Sequence, residues 1–496
     1  MLKDESKTAF KGDMLNEIKK VLNQPLFQFI AAATFAYVIF FARCPVNFIL
    51  PTLYGEDGLW STHIFRFGFW DAVMKIRTDY YVFGNLVMLW LGMQVCDLFY
   101  GGDILLLAKS YAIISMAFYA VTVSLPFILI RHILPFRYLV VLWLLLCFVP
   151  LGLSDTSGYE IIGRINNTGF PFLFIGFILV LQRNRTGSKS FSVFLCDIGL
   201  AVCSATNPFC LLYVPVVAWP YLKVLKEIIR KEKSVEPRNM VSMVMLVILS
   251  GFIALKPIMV SPVKIMGPTR ELTLPITIEM GAARNIIYPA IYPYYKSMSN
   301  ASAMVILILA VVVIAGFSNR RHTSVYALAS LMFLLTSVFL IISRPTLRIH
   351  MEDYTSTYPD RYYFAQNMVG IFVLVLFTYD LEGRIKNKLM KFIPVLLLLV
   401  YSFLPVCKKS PATLSPTMFI PLDEQGLFSD LVIQAYNNYS YKVHKGDPEK
   451  IVYILIDCYP PGQGWVLKVP IEMVRKAVRV EHEIKLVKLN PSSISI

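Results

Sequence analysis

Two adjacent carboxylates, Glu56 and Asp57, stand between two glycines shortly after the first strongly apolar stretch of the chain. An ionised carboxylate at the centre of a bilayer costs about 2.5–3.5 kcal/mol, so this pair is expected to face water or a polar cavity. A carboxylate within reach of a hydroxyl acts as a general base when burial or a nearby charge raises its pKa toward neutrality. The alternative is an acidic turn that caps a helix at the membrane surface.

Cationic, amide and aromatic side chains that could complement this pair are spread over later polar loops. A guanidinium binds phosphate through paired hydrogen bonds and stabilises the charge that a lipid-phosphate leaving group gains as its bond breaks. For each arginine the alternative is a headgroup contact or a surface ion pair, and for each aromatic residue a place in the interfacial belt. The candidate substrate-binding residues are Tyr54, Arg164, Asn166, Asn167, Arg270, Arg284, Tyr288, Arg348, Asp360, Arg361 and Tyr362.

The composition indicates which elements must position these residues. Of the 496 residues, 56% are hydrophobic and 16% are charged, whereas a soluble domain carries about 25% charged residues. Apolar runs of about 15–23 residues recur, and each is long enough to cross a bilayer. The sequence therefore predicts an all-α polytopic membrane protein with about eleven spans. They are placed at 25–44, 109–131, 138–153, 170–182, 191–206, 208–222, 240–258, 303–317, 324–343, 363–380 and 392–406.

Lysine and arginine residues in the short loops orient these spans, because cytoplasmic loops are enriched in both. With the N-terminus inside, every short and strongly basic loop falls on the inner face, and membrane orientation accounts for the net charge of +15 without nucleic-acid binding. Residues 82–100 are apolar enough to cross, but a crossing there would move each later basic loop outside. They are therefore predicted to lie in or re-enter the outer interface.

The chain divides into three parts on this topology. Residues 1–24 mix lysines with acidic residues and predict a cytoplasmic leader, with no signal peptide. Residues 25–406 form the membrane module, whose first outer loop is 45–108. The outer tail, 407–496, is predicted to form a small α/β segment with a strand at 451–457, a helix at 470–480 and a strand at 483–489.

The cysteines and the known catalytic motifs give no sign of a metal or nucleotide site. Cys407 and Cys458 share the outer compartment, and the sequence leaves a disulfide between them open. The other cysteines lie in or beside apolar runs, where a thiol behaves as a small hydrophobic group. No nucleophile elbow, phosphate-binding loop, dinucleotide fingerprint or zinc spacing is present.

The acidic pair and the topology resemble the GT-C class of polytopic glycosyltransferases, which includes aminoarabinose transferases and protein O-mannosyltransferases. Among bacterial members, the chain is most similar to serotype-converting O-antigen glucosyltransferases. In that class an acidic pair follows the first span, as Glu56-Asp57 does here, and the second interfacial helix ends in a short turn before a basic residue. Leu98-Phe99-Tyr100-Gly101-Gly102-Asp103 and then Lys109 match this pattern, with Lys where the class usually has Arg. The matching motifs lie between residues 45 and 135, while the topology covers most of the chain.

The resemblance implies a GT-C-like hexosyltransferase in a bacterial inner membrane, with a cytoplasmic N-terminus and a periplasmic C-terminus. It implies an undecaprenyl- or other polyprenyl-phosphate sugar donor and a periplasmic glycan acceptor such as lipid-linked O-antigen. One of Glu56 and Asp57 would be the catalytic base, and most such members need no metal.

Three other functions remain open on the sequence. A polysaccharide polymerase or ligase would use arginines of the later outer loops. A lipid or sugar transporter or flippase would be expected to carry ionisable groups at mid-span and internal repeats, which this sequence lacks. A non-enzymatic scaffold is the third, although it leaves the crowding of polar residues in the outer loops without an explanation.

Overall fold

The computed structural model describes residues 24–149, 161–185, 190–219, 237–259, 271, 273, 300–343, 360–387, 391, 393–398, 400, 428–443, 453–458 and 465–478. The membrane module contains the helices α1 (Pro25–Arg43), α2 (Glu56–Phe67), α3 (Phe69–Lys75), α4 (Phe83–Tyr100), α5 (Leu107–Ser124), α6 (Phe136–Cys147), α7 (Phe172–Arg183), α8 (Ser190–Thr206), α9 (Pro208–Trp219), α10 (Pro237–Met259), α11 (Asn300–Phe317), α12 (Thr323–Ser343) and α13 (Asp360–Arg384). The C-terminal part contains α14 (Phe428–Val443), β1 (Tyr453–Asp457), β2 (Val466–Pro470) and a last helix, α15, at 471–478. Single helical turns lie at Val46–Ile49, Ile104–Leu106, Pro126–Leu129, Asn166–Gly169 and Arg320–His322.

The helices give the protein its membrane character. Within the described residues, five helical stretches are long and apolar enough to cross a bilayer: Pro25–Arg43, Phe83–Tyr100, Ile104–Leu129, Arg320–Leu340 and Arg361–Arg384. Shorter apolar helices occupy Phe136–Cys147, Phe191–Thr206, Pro208–Trp219, Met243–Lys256 and Ile308–Phe317. The protein is thus a helical membrane protein. The total of about eleven spans stays a prediction, because it counts shorter helices as crossing and leaves Phe83–Tyr100 out.

Helix α4 packs at one end of the helix bundle. The backbone N–H of Gly84 donates to the Thr206 hydroxyl at the end of α8, at 2.9 Å. At the opposite end of α4, Lys476 of the C-terminal part donates to the Gly101 carbonyl at 3.4 Å. Between them, Gly92 allows close packing, because a Cβ there would lie 2.4 Å from the ring of Tyr111 on α5. These contacts keep both ends of α4 beside elements predicted to be outside, which supports an interfacial placement.

Close helix packing and the buried cation of Arg43 both contribute to the core of the bundle. Phe40 of α1 meets Tyr119 of α5 edge-to-face, with ring centroids 6.2 Å apart. Arg43, the last residue of α1, is fully buried and donates to the carbonyls of Cys147 and Val149, the latter at 2.9 Å. These carbonyls at the end of α6 lack helical partners, so the guanidinium satisfies acceptors that would otherwise be buried unpaired.

Several charged residues lie at the end of the bundle where α7 and α13 end. Arg183, the last residue of α7, pairs with Asp197 of α8 through Nε and Oδ1 at 2.5 Å, and both side chains are buried. Asp380 of α13 accepts hydrogen bonds from the Asn319 backbone and the Tyr326 hydroxyl, each at 2.9 Å. Because Arg183 is the last residue of α7, its partner Asp197 lies near the same end of the bundle. The sequence predicts that this end is at the inner face.

The C-terminal part is a hairpin with helices on it. Strands β1 and β2 are antiparallel, with Tyr453 opposite Pro470 and Asp457 opposite Val466. Strand β1 and helix α15 lie within the segments that the sequence predicts as strand and helix. Strand β2 and helix α14 were not predicted, and the expected strand at 483–489 lies outside the described residues.

The buried pair on α7 and α8 leads to a stability prediction. Asp197→Asn leaves the Arg183 cation buried without its counter-charge, so the free energy of unfolding should fall by about 3–5 kcal/mol. Replacing both residues (Arg183→Met with Asp197→Leu) should recover most of this loss, because no unpaired charge remains. Unfolding of the purified protein in detergent micelles measures both effects.

The exposed pair Arg475–Glu472, at 3.0 Å, provides the control for this experiment. Glu472→Gln should change the stability by no more than about 0.5 kcal/mol, because surface pairs contribute little. A wild-type unfolding curve for Asp197→Asn would contradict the prediction.

Candidate active site

The acidic pair opens helix α2. Glu56 and Asp57 are the first two residues of the helix, and Gly55 precedes them with φ +53°. A residue with a Cβ is strained in that left-handed conformation. A Cβ at Gly55 would also lie 3.3 Å from the side-chain nitrogen Nδ2 of Asn166. The glycine therefore lets the chain turn into α2 while residue 166 packs against the turn.

Arg164 ties residues 161–170 to the segment between α1 and α2. Its guanidinium is buried and donates to the carbonyl and hydroxyl oxygens of Thr52, both at 2.7 Å, and to Oδ1 of Asn47 at 2.9 Å. It also lies over the ring of Tyr54, 5.3 Å from the centroid. Gly163 has φ +85°, and a Cβ there would lie 2.8 Å from Cβ of Asn47. Only glycine allows this close approach of the two segments.

The segment that carries Arg164, residues 161–170, is fixed by polar side chains from the neighbouring helices. Asn85 of α4 donates to the carbonyls of Ile165 and Asn166 at 2.8 and 2.9 Å. Ser115 of α5 donates to the Arg164 carbonyl at 3.2 Å. These bonds satisfy buried backbone oxygens that an irregular segment would otherwise leave unpaired, so the segment holds one conformation against α2.

Asp57 is the buried member of the pair. Its side chain is 2% exposed, and its Oδ1 has no hydrogen-bond partner within the described part of the chain. Burial raises the pKa of Asp57 to about 7, against the opposing effects of the Arg164 charge and the backbone amides of Asn166 and Ile165, while Glu56 adds to the rise. A carboxyl group with a pKa near neutrality and an open acceptor oxygen is suited to receive a proton.

Glu56 is the exposed member and already has a cationic partner. Its carboxylate pairs with Arg77 at 3.2 Å, and Arg77 also forms a paired bond to Asp79 with both distances at 2.9 Å. The guanidinium lies over the ring of Tyr80, 4.4 Å from its centroid. This arrangement keeps Glu56 in an ion-pair network at the surface, in contrast with the buried carboxyl of Asp57.

The opposite side of α2 contacts the C-terminal hairpin. The Lys468 backbone N–H donates to the Thr62 hydroxyl at 2.7 Å, and Arg66 lies over the ring of Tyr453, 5.0 Å from the centroid. One turn from Asp57, the Ser61 hydroxyl hydrogen-bonds the hydroxyl of Tyr111 at 2.7 Å. Helix α2 is thus held between the 161–170 segment, α5 and the hairpin.

The structure brings several of the predicted site residues together. Tyr54, Asp57, Arg164 and Asn166 belong to the contact between residues 161–170 and the segment that leads into α2. Glu56 pairs with Arg77, and the carbonyl of Asn167 accepts a hydrogen bond from the Tyr119 hydroxyl at 3.4 Å. Tyr362 approaches the same segment, because its ring meets that of Phe170 with centroids 5.0 Å apart. Arg361 lies over that tyrosine ring at 5.3 Å, and Asp360 is the first residue of α13. The remaining predicted residues, Arg270, Arg284, Tyr288 and Arg348, lie outside the described residues.

Sequence reasoning missed the residues that hold this site in place. Asn47 and Thr52 receive the Arg164 guanidinium, Asn85 holds the backbone of the segment, and Arg77 pairs with Glu56. One signal was available: Asn85 is a polar residue in the strongly apolar run at 82–100. The roles of Asn47 and Thr52 depend on a contact more than a hundred residues away, which no local pattern indicates.

No group of three metal-binding side chains occurs among the residues that the structure describes. Comparison of the sequence with protein-family models finds no match, and a search of curated proteins finds no significant similarity.

The Arg164 contacts lead to a second stability prediction. Arg164→Lys should lower the free energy of unfolding by about 2 kcal/mol or more, since an ammonium cannot reproduce the fork to Thr52 and Asn47. Thermal unfolding in detergent checks this. Arg66→Lys is the matched control: Arg66 is exposed and stacks on rings, a contact that lysine retains. Equal losses from the two substitutions would contradict a special role for the buried fork.

Proposed function

We propose that the protein is a membrane glycosyltransferase that transfers a hexose from a polyprenyl-phosphate donor to a hydroxyl of a periplasmic glycan, such as lipid-linked O-antigen, at a bacterial inner membrane. The N-terminus is cytoplasmic and the C-terminus periplasmic in this proposal. The observation that carries it is Asp57: a buried carboxyl group with an open acceptor oxygen, at the membrane–water boundary that the charge pattern predicts. The resemblance of the acidic pair and its following helices to the GT-C class supplies the reaction type.

Asp57 serves as the general base in this reaction. Its carboxylate takes the proton from the acceptor hydroxyl while the hydroxyl oxygen attacks the anomeric carbon of the sugar. The bond between that carbon and the phosphate oxygen breaks, and its electron pair leaves with the polyprenyl phosphate. Phosphate is a good leaving group, so the reaction needs no general acid, and the proposal includes no metal.

The described contacts favour Asp57 over Glu56 as the base. Glu56 is already engaged by Arg77, whereas Oδ1 of Asp57 has no hydrogen-bond partner within the described part of the chain. We assign Glu56 and Arg77 to positioning the turn and to substrate contacts at the rim of the site. Arg164, which donates to oxygens of Thr52 and Asn47, acts by fixing residues 161–170 and by its charge on Asp57.

This assignment also separates the proposal from a transporter. Within the described residues, the protein's ionisable clusters, such as Arg183–Asp197 and the one around Asp380, lie at the ends of the helix bundle. They do not form a chain of groups through its middle. Groups placed along a pathway at mid-depth are what proton or ion coupling requires.

Substitution of the two acids tests the proposal. Asp57→Asn keeps the size of the side chain but removes its basicity, so transfer should fall by about 10²-fold or more. Glu56→Gln should retain a larger share of the rate. The assay uses membrane vesicles with a radiolabelled polyprenyl-phosphate hexose and lipid-linked O-antigen, and mass spectrometry detects the hexose-sized increment on the glycan.

Asp71→Asn is the matched control, because Asp71 is a carboxylate of the same outer segment that pairs with Lys75 at 2.5 Å. It should transfer at nearly the wild-type rate. A loss confined to Glu56→Gln would move the base to Glu56. Absence of transfer by the wild-type protein from any hexose donor would refute the proposed function.

The titration of Asp57 gives a further prediction. The base must be ionised, and burial holds its pKa at about 7. The carboxylate fraction therefore falls as the pH drops through 7, and kcat/KM should decline on the acid side with a midpoint near that value. Rates measured between pH 5 and pH 9 check this. A profile that stays flat down to pH 5 would mean that no group with a raised pKa limits the reaction.

A further inference from the structure

Gly58, the residue after Asp57, contacts the C-terminal hairpin. A Cβ at Gly58 would lie 2.2 Å from Sγ of Cys458 and 3.2 Å from the backbone nitrogen of Leu467. The first distance is far shorter than any real contact, so only glycine admits the thiol at this position. Cys458, which follows β1, is itself 1% exposed. The first turn of α2 and the hairpin therefore interlock directly beside Asp57.

The contact between α2 and the hairpin continues along α2, and the C-terminal part also contacts neighbouring helices. Thr62, one turn after Gly58, accepts the backbone N–H of Lys468 on β2. Beyond it, Arg66 lies over the ring of Tyr453 on β1. Helix α14 packs on β1 and on the turn Ile104–Leu106 that precedes α5. The hairpin thus contacts α2 at successive turns and is itself anchored to the helices behind.

We infer that the C-terminal hairpin is a positioning element of the active site, in which Cys458 and the backbone of β2 fix the first turn of α2 and hence the Asp57 carboxyl. This inference rests on the proposed function. The 161–170 segment holds the turn on one side through Asn166, and the hairpin holds it on the other. An α2 held from one side only would be free to shift, and a displacement of about 1 Å costs as much as 10²-fold in rate.

The hairpin also helps to keep the carboxyl of Asp57 out of water. If it separates from α2, solvent reaches the first turn and the pKa of Asp57 falls toward its ordinary value. The acid limb of the rate profile then moves to lower pH. A contact that merely added stability would lower the amount of folded protein and leave the midpoint unchanged.

Adding a methyl group at residue 58 and removing the thiol at residue 458, singly and together, tests the inference. Gly58→Ala should lower kcat by about tenfold or more and shift the acid limb to lower pH, since the new methyl group displaces the hairpin. Cys458→Ala alone removes one contact and leaves the β2 backbone contacts to α2 in place, so it should lower kcat by less than Gly58→Ala does. The double variant, Gly58→Ala with Cys458→Ala, should recover at least about threefold of the lost rate, because removing Sγ makes room for the methyl group.

Gly251→Ala is the matched control for the added methyl group. Gly251 lies in helix α10, and a Cβ there meets nothing within 4 Å. It should transfer at the wild-type rate with the wild-type pH profile. Full activity in Gly58→Ala, or a double variant no better than Gly58→Ala, would overturn the inference while leaving the proposed function intact.

Labelling of Cys458 gives a readout that needs no transferase activity. Burial raises the pKa of this thiol to about 12, so in wild type it should resist a membrane-impermeant maleimide at neutral pH. In Gly58→Ala its labelling should be about tenfold faster, as the separated hairpin exposes the thiol. A Cys407→Ser background, with the labelled peptide mapped by mass spectrometry, assigns the signal.

The two readouts separate the inference from the function on which it rests. Faster labelling in Gly58→Ala, from a protein whose wild type transfers no hexose, would support the interlock and refute the glycosyltransferase. Equal labelling in both proteins, from a wild type that does transfer hexose, would refute the interlock alone.

Discussion

Arg164 is a buried cation that donates hydrogen bonds to neutral oxygens of Thr52 and Asn47. A guanidinium taken out of water requires such acceptors, and each bond to a charged group contributes about 1.5–3 kcal/mol. Because the acceptors come from Asn47 and Thr52, satisfying this one charge joins two segments that are more than a hundred residues apart in sequence. Since Thr52 and Asn47 are neutral, the positive charge of Arg164 still acts on Asp57. The position and the ionisation of Asp57 both follow from this arrangement.

The ionisation of Asp57 is set by opposing effects, of which burial is the largest. Burial disfavours the carboxylate, as does the neighbouring Glu56, while Arg164 and the amides of residues 165 and 166 favour it. The start of a helix adds a positive end to the favourable side. With only the favourable charges, the pKa of Asp57 would lie well below neutrality. With burial alone, its carboxyl group would stay protonated at neutral pH. A base for a hydroxyl acceptor needs the intermediate value, and it exists here only while the surrounding segments stay packed.

Local chemistry in the sequence was enough to single out Glu56 and Asp57 as candidate catalytic residues but not the residues that hold them. Glu56 and Asp57 stand out because adjacent acids after an apolar span are costly unless they face a polar site. Placing Arg164, Asn166 and Asn167 beside them required only the charge pattern, which put both loops on one face. By contrast, the Gly58–Cys458 contact joins residues four hundred positions apart through the shapes of two surfaces. Sequence periodicity carries no information about such complementarity, and β2 was missed because its five residues fall after a Pro- and Gly-rich turn.

The apolar helix α4 shows how membrane topology and the site depend on each other. By length and composition alone it is able to cross the bilayer, yet its first turn holds Ile165 and Asn166 through Asn85, while its last turn meets the C-terminal part at Gly101. A crossing α4 would carry one of these ends to the opposite face and pull Asn85 or Gly101 away from its partners. The buried carbonyls of residues 165 and 166 would then lose their donors, at a cost of about 1–3 kcal/mol for each unsatisfied group. Thus the hydrogen bonds that fix the segment beside Asp57 favour the same topology as the basic loops, although the two arguments use different residues.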